Sequence, residues 1–192
     1  MYPWEAALLL SLCAVLLSGL WAQGRQRALS DKVVRLHVIA ASDSETDQAV
    51  KLQVRDAVLQ QVTPLLEGAA DRSEAVALLQ QALGSLEEIA GEISGTEATA
   101  TLGRENYPTR EYDSFSLPAG EYTSLRIVLG EGKGRNWWCV VYPPLCLSGP
   151  EEVQETAALS EDDVKLITED GEGYVFRFRL MEWWGDFARR WE

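Results

Sequence analysis

The sequence predicts an α+β fold: a single domain in which two helices of the N-terminal half pack on a small mixed or antiparallel sheet, preceded by one N-terminal hydrophobic helix. Three observations carry this. Apolar residues recur at helical spacing through two long stretches of the first half, and they alternate at strand spacing elsewhere. The two patterns segregate along the chain instead of alternating unit by unit. At 192 residues, 46% hydrophobic and 24% charged, the chain has room for one core and a globular composition.

The first element is Ala6 to Ala22, an uncharged apolar run whose 17 residues span about 26 Å as a helix, near the thickness of a bilayer core. Trp4 and Trp21 flank it, where amphipathic rings sit at membrane interfaces. Residues 1–24 thus read as a signal peptide or a membrane anchor. Leu12 is too large for the position before a lipidated cysteine, so Cys13 reads as an ordinary membrane-buried residue. No Lys or Arg precedes the run, whereas Arg25, Arg27, Lys32 and Arg35 follow it. Taken alone, that asymmetry would leave the domain in the cytoplasm.

The main domain is expected over 30–148. Val33 to Ala40 alternates as a strand, with His37 outward-facing on its edge. Ser44, with Asp47 three residues on, has capping-box spacing and opens a helix to about Leu66 that is apolar on two sides. Asp71 and Glu74 open a second, whose stripe Leu79, Leu83, Leu86, Ala90 and Ile93 ends near Gly95. Ala98 to Leu102 reads as a short strand, followed by a polar loop through Tyr107 and Tyr112. Tyr122 to Leu129 and Trp137 to Tyr142 are strands, and the GEGKG between them predicts a hairpin with a flexible loop. An acidic linker is expected over 149–172, with a short turn near Ala157 to Leu159. Residues 173–192 read as a strand, Tyr174 to Arg179, and an aromatic amphipathic helix striped by Leu180, Trp184, Phe187 and Trp191.

The net charge of −13 repels phosphate backbones and no basic stripe offsets it, which argues against nucleic-acid partners. One histidine and no Cys/His cluster argue against a zinc site. Gly130-Glu131-Gly132-Lys133-Gly134 leads to a strand, not the helix a phosphate loop needs. Asp43, Glu45 and Asp47 resemble the start of a calcium loop, but Gln48 and Val54 stand where its glycine and glutamate belong. His37 has no nucleophile motif beside it, so the chain reads as no enzyme, with no catalytic residue, cofactor or metal.

Cys139 and Cys146 flank Pro143-Pro144, whose reversal brings the thiols near enough to be candidates for a disulfide. Adjacent Trp137 and Trp138 point to opposite faces of a strand, so one can join the core while its neighbour stays partly exposed as an interface anchor. The candidate partner-binding residues are therefore Glu131, Lys133, Arg135, Asn136, Trp137 and Trp138, with His37 and Asp43 as weaker ones.

The stretches RLHVIAASDSETDQAVKLQVRDAV and GEGKGRNWWCVVYPPLC, with the FRFRLMEWW ending, resemble the stage II sporulation protein R family of endospore-forming bacteria. The resemblance covers roughly residues 33–147. It implies an exported signal in the space between the two sporulation membranes, secreted or anchored by its N-terminal segment. Its implied partner is a membrane-embedded aspartic protease of the mother cell, which processes a sigma-factor precursor. The family role requires no catalytic residue, and the implied export overrides the count of basic residues. An extracytoplasmic envelope hydrolase and a cytoplasmic domain on a reversed N-terminal helix are the alternatives.

Overall fold

The computed structural model describes residues 2–112, 115–146 and 159–168. Helix α1 (Pro3–Ser30) leads into strand β1 (Val34–Ile39), helices α2 (Glu45–Glu67) and α3 (Arg72–Ser94), and strand β2 (Ala98–Tyr107). Two short strands follow, β3 (Arg110–Glu111) and β4 (Ser116–Leu117), then β5 (Gly120–Leu129), β6 (Asn136–Tyr142) and helix α4 (Glu161–Ile167). The fold is α+β with a mixed four-stranded sheet, as expected.

The helix ends lie where the capping chemistry puts them. Ser44 accepts the Asp47 amide at 3.1 Å and Asp71 accepts that of Glu74 at 3.0 Å, each satisfying an orphan donor of the first turn. Gly95 closes α3 at φ 64°, the left-handed conformation that favours glycine. Both helices lie on one face of the sheet. Val54, Val58 and Val62 of α2 and Leu79 and Leu86 of α3 meet Val34, Leu36, Val38, Leu125, Ile127 and Leu129, all fully or almost fully buried. Burial of such side chains contributes about 1.5–3 kcal/mol each, which makes this layer the main source of stability.

The sheet order is β2-β5-β1-β6, which corrects the expected hairpin. β5 and β6 do not pair. β1 lies between them, parallel to β5 and antiparallel to β6. All six residues of β1 are buried, because the strand is covered on both faces. The 130–135 segment is thus a bridge over the end of β1. His37 is likewise corrected: it sits on this central strand and is only 6% exposed, not outward-facing on an edge. β2 runs ten residues, five beyond the expected Leu102, since its whole length pairs with β5. The loop after it contains the β3–β4 pair. Inside the expected acidic linker, Ser160 caps α4 and Leu159 and Ile167 are buried, so apolar contacts fix this part despite its charge. The expected strand and aromatic helix of 173–192 lie outside the described residues.

Among the described residues, the second sheet face is covered in part. Leu29 at the end of α1, Phe115, Leu117, Leu145, Leu159 and Ile167 pack there on Tyr107, Tyr122 and Val140. The α1 helix is continuous into this cluster. Its Gln26 lies so close to β5 that a Cβ on Gly120 would overlap the amide group. Ion pairs from Arg25 to Asp162 and from Lys32 to Asp163 join its end to α4. Cys139 and Cys146 form a disulfide with Cα atoms 5.5 Å apart, tying the end of β6 to the chain after its bend.

Candidate functional site

The segment joining β5 to β6 is held by backbone hydrogen bonds, which corrects the expectation of a flexible loop. Gly130 and Gly132 turn it with φ of 52° and 63°. The Lys133 amide then donates to the Ala41 carbonyl at 3.2 Å, and that of Gly134 to the Ala40 carbonyl at 2.9 Å. A Cβ at Gly134 would collide with the Ser42 backbone, so glycine is what lets the two segments touch. The Arg135 amide donates to the Asp43 carboxylate at 2.7 Å. Lys51, on the buried stripe of α2 and 5% exposed, donates to the Arg135 carbonyl at 2.9 Å and to Gln48 at 2.7 Å. Burial, then the neighbouring Arg135 charge, hold the Lys51 ammonium below its ordinary pKa.

Asn136 is the first residue of β6, and its carboxamide oxygen lies 3.0 Å from His37 Nε2. The other ring nitrogen, Nδ1, lies 2.8 Å from Glu105. Burial alone would raise the Glu105 carboxyl, but hydrogen bonds from His37 and Ser124 outweigh it and hold the group below its ordinary pKa. Both nitrogens of His37 are engaged, which leaves neither free to take a proton from a nucleophile. The arrangement suits a structural crosslink between β1, β2 and β6.

Trp137 and Trp138 point to opposite faces, and both are half-buried. Trp137 packs on the edge of the helix-side core, with the Arg55 guanidinium 4.9 Å from its ring centre. Trp138 lies on the other face beneath Arg110 at 3.8 Å and 5.4 Å from the His37 ring. Beyond them Glu131 and Lys133 form an exposed ion pair at 2.7 Å. All eight candidate residues thus gather at one end of the sheet: Asp43 touches Arg135, His37 touches Asn136 and Trp138, and the others adjoin them in the same bridge.

Sequence reasoning missed Lys51, Arg55, Glu105 and Arg110. Lys51 left a signal, since it shares the helical face of Val54, Val58 and Val62, where an ammonium needs a partner. Arg35 was read only as one of four basic residues near the membrane. It is fully buried, with its guanidinium 3.8 Å from the Tyr107 ring centre and donating to the Tyr112 hydroxyl at 2.6 Å. Its Nε and Nη1 have no hydrogen-bond partner among the described residues. Among the described residues no group of His, Cys, Asp and Glu has the arrangement of a metal site.

Residues 30–152 match the family described as Stage II sporulation protein R. Stage II sporulation protein R of Bacillus subtilis (strain 168) is 32% identical over 184 residues, covering 82% of each chain. No solved structure matches the chain significantly.

Proposed function

We propose, for a chain that belongs to the stage II sporulation protein R family, that it acts outside the cytoplasm as the signal that switches on a membrane-embedded aspartic protease. In this reading the protease is in the mother cell and then cleaves a sigma-factor precursor. The chain supplies a surface and no chemistry.

The observation that carries the reading is the position of the bridge. The membrane-compatible helix α1 meets the sheet where β1 begins, while the 40–44 and 130–136 segments lie where β1 ends. A protein held at one pole and presenting an ordered, aromatic-flanked surface at the other suits a ligand reaching from one membrane to a receptor in a facing one. The Cys139–Cys146 disulfide supports an oxidising, extracytoplasmic location. Of the four basic residues that argue for a cytoplasmic domain, Arg25 and Lys32 pair with carboxylates of α4 and Arg35 is buried. In the folded chain these three are therefore structural groups, and Arg27 alone of the four is exposed without an ion pair among the described residues. The hydrolase alternative depends on His37, whose ring nitrogens are both occupied.

The test is co-expression of the full chain with its cognate protease and sigma-factor precursor. Cleavage is expected only when all three are present. Cleavage that proceeds equally without the chain would sink the reading.

A further inference from the structure

β6 lies at one edge of the sheet, and among the described residues no strand pairs with its outer side. The far end of that side is closed, because the Val140 carbonyl takes the Leu145 amide at 3.3 Å. This carbonyl therefore points away from β1. Successive residues of an antiparallel strand turn their backbone groups to opposite sides, so those of Trp138 and Asn136 point outward as well. Trp137 and Cys139 carry the ladder to β1. The open stretch reads Asn-Trp-Trp, with none of the lysines, prolines or carboxylates that blunt the edges of natural sheets.

The side chains flanking this edge are matched across the two faces. On the helix face the Arg55 guanidinium lies 4.9 Å from the Trp137 ring centre, and on the second face that of Arg110 lies 3.8 Å from the Trp138 ring centre. Arg55 shares its charge with Asp56 at 2.7 Å. Arg110 forms no ion pair among the described residues, and its Nε has no hydrogen-bond partner. A strand laid along the edge would run about 4.8 Å from β6 and set consecutive side chains on opposite faces. One would meet Trp137 and the next Arg110. The opposite edge has no such anchor, since β2 presents Ala, Thr, Leu and Gly over its uncharged half, residues 98–103. A second copy of the chain is a poor occupant. Pairing β6 with β6 would bring two Arg110 groups together, on molecules that each carry a net charge of −13.

We propose that β6 captures an extended segment of a partner protein by strand addition. The Trp138 backbone supplies the hydrogen-bonding rung, and neighbouring apolar and acidic residues of the segment settle on Trp137 and Arg110. The inference rests on the reading that this pole meets a partner, and it specifies what the partner presents. Trp138 contributes its backbone to the contact, while its ring stays packed between Arg110 and His37.

The test is amide hydrogen exchange of the full chain in detergent, resolved to single residues, with and without the cognate membrane protease in the same detergent. In the chain alone the Trp138 amide is expected to exchange at least about tenfold faster than those of Trp137 and Cys139. An excess of protease should slow it about tenfold or more and leave β2 unchanged. Arg110→Glu should weaken capture of the protease about tenfold, and Arg110→Lys much less. The exchange measurement needs no variant, so it decides the matter even where a substitution harms folding. Bound protease that leaves the Trp138 amide at its original rate overturns the inference while the signalling reading stands, and so does protection confined to β2. Protection in the chain alone that vanishes on dilution overturns it too, by assigning the edge to a second copy. Failure of the protease to bind, together with cleavage that proceeds equally without the chain, removes the signalling reading itself.

Discussion

Trp137 and Trp138 differ by one strand position, and that step separates two kinds of failure. Trp137 sits on the helix-side edge, half-buried beside Arg55, in reach of a partner. Trp138 is held between Arg110 and His37. Trp137→Ala is expected to melt within a few degrees of the parent yet lose cleavage in the three-component assay, since an interface anchor is worth about 2 kcal/mol or more, a thirtyfold change in affinity. Trp138→Ala should instead lower the melting temperature by about 5 °C, the effect of roughly 2 kcal/mol in a domain of this size. Early melting of both variants, or normal signalling by both, would remove the bridge as the contact. Lys51→Ala is expected to cost about 1–2 kcal/mol, by leaving the Arg135 carbonyl without its donor. Faster amide exchange at residues 131–135 is the readout. Glu105 adds a pH dependence. Its folded pKa lies below the ordinary 4.5, so its contribution to stability is complete above that value and is lost as pH falls through the folded one. Urea melts from pH 5 downward should show the parent losing stability more steeply than Glu105→Gln, and parallel profiles would refute the assignment.

Two elements rest on a close contact or a bond. At Gly120 a Cβ would meet only the amide end of the Gln26 side chain, which can swing aside, so Gly120→Ala should cost at most about 1 kcal/mol and leave the end of α1 in place. A larger loss of melting temperature with new proteolysis at residues 23–30 would refute it. Replacing Cys139 with Ser opens the loop that the disulfide closes and should cost about 2–3 kcal/mol from loop-closure entropy, measured against the parent without reductant. These elements also mark what the amino-acid sequence discloses. Ser44, Asp71 and Gly95 announce helix ends because capping is local chemistry. The β5–β6 hairpin was misread because a glycine-rich connection between two strands is the ordinary sign of one. The contrary sign was Val33 to Ile39, wholly apolar on the face of Val34, Leu36 and Val38 and carrying Val33 and Ile39 on the other face as well. The bond from Lys133 to Ala41 joins backbone to backbone and leaves no mark in residue type, and the glycine that the approach of residue 134 to Ser42 requires reads equally as a hairpin loop. In the acidic stretch that includes α4, the carboxylates conceal Leu159, Val164 and Ile167, which reveal their purpose only beside Leu29 and Tyr122.

On the scale of the whole molecule, one end of the sheet receives the apolar helix and the other carries the bridge. A reporter that works only after export, fused after Glu192, is expected to be active. Activity confined to a cytoplasm-specific reporter would reverse the orientation and favour the basic residues after the run. The junction between helix and sheet matters more than either pole alone. α1 passes from its apolar run to the buried Leu29 and Ser30 without a break, wedged against Gly120 and clasped by Asp162 and Asp163. Among the described residues no break separates the apolar run from the domain. In an anchored chain the bridge is then the tip of a lever up to about 35 Å long, the sum of the last turns of α1 and the length of β1. A tilt change of about 10°, small within the 0–40° range of membrane helices, swings that tip by about 6 Å. If α1 stays in the membrane, the thickness of the surrounding bilayer then biases where the tip points, because mismatch is one source of tilt.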